Sequence, residues 1–159
     1  MKTLLLGLGN ELYGDDGVGI HIVRKIREEA QNLPLGSIPQ DDICMEECAL
    51  SGLALLDIII GYDRLILVDT IKRQAPVPGK IHLLEEKDIR AVPGPSPHYI
   101  SVPQTIEIGR RLGLHVPSTI QVVAVEAKNI YRLGEGLSAE MEAQLLTIIK
   151  EVKLLLARD

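Results

Sequence analysis

Three places in this chain hold side chains able to bind a divalent cation. They are the adjacent acids Asp15 and Asp16 in GLGNELYGDDGVG, Asp69 in RLILVDT, and His98 in SPH. Carboxylates and imidazole are donors that suit divalent first-row ions. A helix starting just after the first acids would add about 0.3–1 kcal/mol in favour of a carboxylate there. Each residue also has a plainer use. Asp15 or Asp16 can cap that helix, Asp69 can bond to loop amides, and His98 can be an ordinary loop histidine.

The glycine loop itself is not a dinucleotide fingerprint. Leu12 stands where the third glycine of G-x-G-x-x-G belongs, and no clear ribose-binding acid follows at the required distance. Gly7 and Gly9 are expected to let the chain turn sharply at the sheet edge, and Asn10 to bond to loop backbone. Gly14, Gly17 and Gly19 are expected to keep the surroundings of Asp16 small enough for a bulky partner to approach. The loop therefore reads as one that presents a carboxylate to a large partner.

Other reactive residues give weaker signals. His21 borders the apolar face of the first helix, His82 is expected to be exposed on an edge strand, and His115 lies in a turn. Cys44 and Cys48 form a C-x3-C pair without a second pair, which points to two buried or half-buried thiols and not to zinc. No recognisable Ser/His/Asp motif and no HExxH are present.

The elements that must position these residues alternate. Thr3 to Leu8 and Arg64 to Thr70 are apolar runs of the kind found in parallel strands covered on both faces. Further strands are expected at Ile43 to Cys48, 81–85 (at an edge) and Thr119 to Val125. A helix fits Gly17 to Ala30, with Ile22, Val23, Ile26 and Ala30 on one face. Ser51 can cap a short helix running to Ile60. Residues 91–98 read as a proline-rich loop, followed by a helix from Ser101 to Leu112 with Pro103 in its first turn. Ser138 can cap a last helix whose stripe is Met141, Leu145, Ile148, Val152 and Leu155. The fold class is α/β: a three-layer α/β/α sandwich with a mostly parallel twisted sheet of about five strands. In such folds the binding site is built by loops after the carboxyl ends of the strands. That rule gathers Asp15, Asp16, Asp69 and His98 at one rim.

The 159 residues fit one domain spanning 1–159. Phe and Trp are absent, so the core is aliphatic. The net charge of −5 argues against a nucleic-acid partner. No apolar run approaches the roughly 20 residues a membrane span needs. The opening MKTLLLGLGN is too short in apolar residues for a secretory signal, so a cytoplasmic location is expected.

Taken together, GLGNELYGDDGVG, LILVDT and SPH at 96–98 resemble the hydrogenase maturation endopeptidases, as do the length and element order over most of the chain. The pattern G-x-G-N-x-L-x-x-D-D/E-x-x-G, joined to the later Asp and His, carries the resemblance. It implies nickel ligation by Asp16, Asp69 and His98, which would also be the catalytic residues of an aspartyl-type endopeptidase. The nickel would be carried by the substrate, with no resident cofactor. The implied partner is the large-subunit precursor of a nickel–iron hydrogenase, from which a C-terminal extension is removed; the protease is expected to act as a monomer. In ECALSGLALL, Gly52 matches the family, but Ala49 and Leu50 replace its usual Gly-Thr. A metal held by these three residues could polarise the scissile carbonyl or lower the pKa of a bound water toward about 7. Alternatively, one carboxylate could serve as general base, with the metal only an anchor.

Two other readings compete. The opening LLLGLGN also resembles peptidyl-tRNA hydrolases, which carry G-x-G/A-N-P-G and a later His. Asn10 and His21 stand near that spacing, but Glu11 replaces the proline and the chain is acidic. The other is a non-catalytic, nickel-dependent maturation chaperone that docks the precursor without cutting it.

Overall fold

The computed structural model describes residues 1–32, 42–50, 52–89, 97–128, 130–134 and 136–158, with 97–101 described in the backbone alone. The strands are β1 (Thr3–Leu8), β2 (Ile43–Cys48), β3 (Arg64–Ile71), β4 (Ile81–Glu85) and β5 (Thr119–Glu126). The helices are α1 (Val18–Gln31), α2 (Leu56–Ile59), α3 (Glu86–Ile89), α4 (Pro97–Arg111) and α5 (Ala139–Leu156). The strands form one sheet in the order β2-β1-β3-β5-β4. All pairings are parallel except β4 with β5.

The two central apolar runs become strands because both of their faces are covered. Every residue of TLLLGL and of RLILVDTI is buried. Alternation along the strands divides the core in two. Leu4, Leu6, Leu8, Leu65, Leu67 and Ile71 pack with Leu55, Ile59, Val102 and Ile106 under α2 and α4. Leu5, Ile66, Val68 and Val123 pack on the other face with the stripes of α1 and α5. The expected three-layer α/β/α sandwich is present.

Three expectations need correction. The short helix after β2 is a 3-10 turn at Gly52–Leu55 followed by the single turn of α2; Ser51, its expected cap, lies outside the described residues. α4 begins at Pro97, so His98 stands in a helical turn and not in the preceding loop. Pro103 is inside that helix, where it removes one backbone donor. Most of the proline-rich stretch, 91–96, also lies outside the described residues.

Ser138 caps α5 as expected: its hydroxyl accepts the Met141 amide at 3.2 Å. The same residue donates its amide and its hydroxyl to the two oxygens of Asp15, at 2.7 and 2.8 Å. Asp15 therefore ties the first loop to α5. Ser138→Ala should lower stability by about 1–2 kcal/mol, read as a fall of a few degrees in the thermal midpoint.

Candidate active site

The chain leaves β1 for β2 on one side and later returns to β3 on the other. The crevice beyond the carboxyl ends of β1 and β3 is thus the topological switch point, where open α/β sheets bind ligands. The β1–β3 ladder ends at Gly7 and Val68, while β3 runs on through Asp69 and Thr70.

Four glycines bring the first loop down onto this crevice. A Cβ on Gly19 would lie 2.4 Å from the Val68 carbonyl oxygen and 2.5 Å from that of Leu8, so the start of α1 sits against both strands. A Cβ on Gly7 would lie 2.4 Å from the Gly19 carbonyl oxygen. Gly9 has φ +147°, and a Cβ there would fall 1.9 Å from the carbonyl oxygen of Asp16. A Cβ on Gly17 would lie 2.9 Å from the Glu11 Cα. Gly17 and Gly19 therefore do not clear space for a partner, as expected from sequence; they let backbone pack on backbone. A second clamp comes from the segment after β5. Gly14 donates to the Gly134 carbonyl at 2.8 Å, and Gly134 donates to that of Leu12 at 2.9 Å.

The clamped loop delivers Asp16 to β3. Its Oδ2 accepts the Asn10 amide at 2.9 Å, and its Oδ1 accepts the Thr70 hydroxyl at 3.1 Å. The Thr70 amide donates to Asp69 Oδ1 at 2.7 Å. Thr70 thus hydrogen-bonds both carboxylates, that of Asp16 through its hydroxyl and that of its neighbour Asp69 through its amide. Asp69 is 0 % exposed and Asp16 is 9 % exposed, so Asp16 is the one that solvent touches. Two donors occupy two of the roughly four acceptor directions of the Asp16 carboxylate, which leaves it able to accept a cation. Alternation puts Asp69 on the sheet face of Leu67 and Ile71, the face that α4 covers. The backbone of position 98 lies in the first turn of α4, four residues before the buried Val102. The His98 side chain lies outside the described residues. Among the described residues, no group of three His, Cys, Asp or Glu forms a metal cluster.

Thr70 was not singled out from sequence. Its only signal was its place after Asp69 at the end of a buried strand. Asn10 behaves as expected and accepts the Leu12 amide at 3.0 Å. His82 is not simply exposed: its Nε2 lies 2.7 Å from Oε1 of the buried Glu126. His115 pairs with Asp63 at 2.9 Å, and His21 lies 3.4 Å from Glu11. Cys44 and Cys48 are free thiols on one strand, about 13 Å apart at strand rise, too far to share an ion.

The sequence profile described as hydrogenase maturation protease matches residues 39–154. The chain belongs to this family. Membership makes it a peptidase. It is 26% identical over 154 residues to the hydrogenase 2 maturation protease of Escherichia coli K12, covering 96% of this chain and 88% of that one. The hydrogenase expression/formation protein HoxM of Cupriavidus necator is 21% identical over 159 residues, covering 98% and 74%. Among solved structures, the hydrogenase maturating endopeptidase HybD of Escherichia coli superposes with a TM-score of 0.79 at 26% identity, covering 98% and 92%. HybD of Thermococcus kodakarensis, with a TM-score of 0.70 at 23% identity over 98% and 99%, shares the fold. Among the described residues, no helix of this maturation protease is long and apolar enough to cross a membrane.

Proposed function

We propose that the protein removes a C-terminal extension from the large-subunit precursor of a nickel–iron hydrogenase, and that it recognises the precursor by the nickel already inserted there. The reading rests on one observation: Asp16 and Asp69 both hydrogen-bond Thr70 at the switch point of the sheet. Both carboxylates stand at the end of β3, and a divalent cation held by both would be attracted to each of them. The nickel belongs to the substrate. Asp16 and Asp69 offer carboxylate oxygens, and His98, at the start of the helix over the sheet face of Asp69, completes the donor set. Substrate lacking the ion then gains nothing from these groups and docks poorly.

The surface around the crevice suits a protein substrate. Leu12, Leu50, Leu53, Tyr131 and Leu133 are exposed apolar side chains on the segments that follow the carboxyl ends of strands. Exposed apolar side chains on several segments of one rim are available to contact a protein partner. A cytoplasmic monomer acting on one precursor at a time is the simplest working form.

The experiment is incubation of purified protein with the large-subunit precursor, nickel-loaded and nickel-free. A shortened product from the loaded precursor alone is expected. Equal cutting of both forms would refute recognition through nickel. Stable co-purification with no shortened product from either would leave the docking chaperone in place of the peptidase. Family membership removes the peptidyl-tRNA hydrolase reading.

A further inference from the structure

On the side of β3 away from β1, the loops flank an open cleft of about 590 Å³, within the size range of ligand sites. One wall is the run after β3 and the other is the run after β5. The cleft is lined by Lys72, Arg73, Lys128, Tyr131 and Arg132 among others, with no acid among the described lining residues. This is a concentration of positive charge in a chain whose net charge is −5.

The local counter-charges are few. Glu126 Oε1 lies 3.5 Å from Arg73, but Glu126 is buried and also binds the Val77 amide at 2.8 Å and His82 at 2.7 Å. Glu140 lies 3.5 Å from Lys128. Lys72 stands 4.9 Å from the centroid of the Tyr131 ring, on an aromatic face and not on a carboxylate. Lys72, Tyr131 and Arg132 are exposed. The cleft thus offers positive charge beside an exposed aromatic plane. It adjoins the crevice, because Lys72 follows Asp69 by three positions, about 10 Å at strand rise. An extended peptide covers that distance with about three residues.

We infer that this cleft holds an Asp or Glu side chain of the precursor, about three residues from the bond that is cut. The inference rests on the peptidase reading above. Lys72 and Arg132 supply the charge, and Tyr131 packs on the adjoining peptide. Acidic residues at that distance then set which precursors are processed well, independently of the nickel that licenses the cut. The acidic chain disfavours a nucleic-acid occupant.

The test uses the full chain and a variant with Lys72→Glu and Arg132→Glu, both exposed positions outside the Asp16 and Asp69 pair. Binding of a short fluorescein-labelled acidic peptide, and of its Asn/Gln counterpart, is read by anisotropy at low and high salt. The acidic peptide should bind the native protein at least about tenfold more tightly than the amide peptide, lose that margin in high salt, and lose it in the variant. With nickel-loaded precursor the variant should raise KM about tenfold with kcat little changed. Should the charge reversal fail to fold, Lys72→Gln with Arg132→Gln should reduce binding in the same direction. Equal binding of the two peptides, binding unchanged in a folded variant, or tighter binding of a single-stranded RNA of like length would each overturn the inference. Peptide binding is read without cleavage, so a protein that fails to cut the precursor counts against the peptidase and not against this cleft.

Discussion

Asp16→Asn is expected to slow processing of the nickel-loaded precursor by at least about a hundredfold, the scale seen when one preorganised electrostatic group is removed from an active site. The change keeps the shape of the side chain and an acceptor for the Thr70 hydroxyl or the Asn10 amide. It removes the negative charge that the proposed nickel recognition requires. The fold should survive, because the stabilising tie between the first loop and α5 is made by the neighbouring Asp15. His98→Ala should lose activity on the same scale. Gel-resolved conversion of the precursor, with thermal melting of each variant, checks both. Undiminished cleavage by the two variants would refute the site.

Gly9→Ala should lose at least about 3 kcal/mol of stability, combining an unfavourable backbone conformation with a steric overlap. The added Cβ would fall 1.9 Å from the Asp16 carbonyl oxygen, at a backbone φ of +147°. Neither atom belongs to a flexible side chain, so the loop must move, and Asp16 moves with it. The thermal midpoint should fall by roughly 10 °C, and processing should fall even where the protein remains folded. Gly113→Ala is the control. Gly113 also has positive φ, +71°, but a Cβ there meets nothing within 4 Å, so its cost should stay near about 1–2 kcal/mol. A Gly9→Ala variant that melts and cuts like the native protein would show that the first loop is not held by this contact.

Much of the scaffold could be read from the chain because burial on both faces leaves an unbroken apolar run. TLLLGL and RLILVDT could hardly be anything but central strands. The helical stripes of α1 and α5 were equally plain, since each packs one apolar face on the sheet. The start of α4 was hidden because Pro103 suggested a first turn, whereas the helix begins at Pro97 and carries the second proline inside. Spacing alone did not separate the structural parts of Asp15 and Asp16. One meets Ser138 and the other Thr70, contacts between residues far apart in sequence. Thr70 and the Glu126–His82 pair were missed for the same reason: a polar residue inside an apolar strand gives no periodic signal until its partner is known.

The ladders have a bearing on when the activity can arise. Thr3 pairs with Arg64, and Arg64 in turn with Thr119. These are distant partners, and closing such long loops before any contact repays the entropy makes folding slow. During synthesis, β1 and α1 emerge long before the strand that carries Asp69. If Asp16 and Asp69 grip the precursor as proposed, a nascent or half-folded chain lacks that grip, and cutting would await a completed sheet.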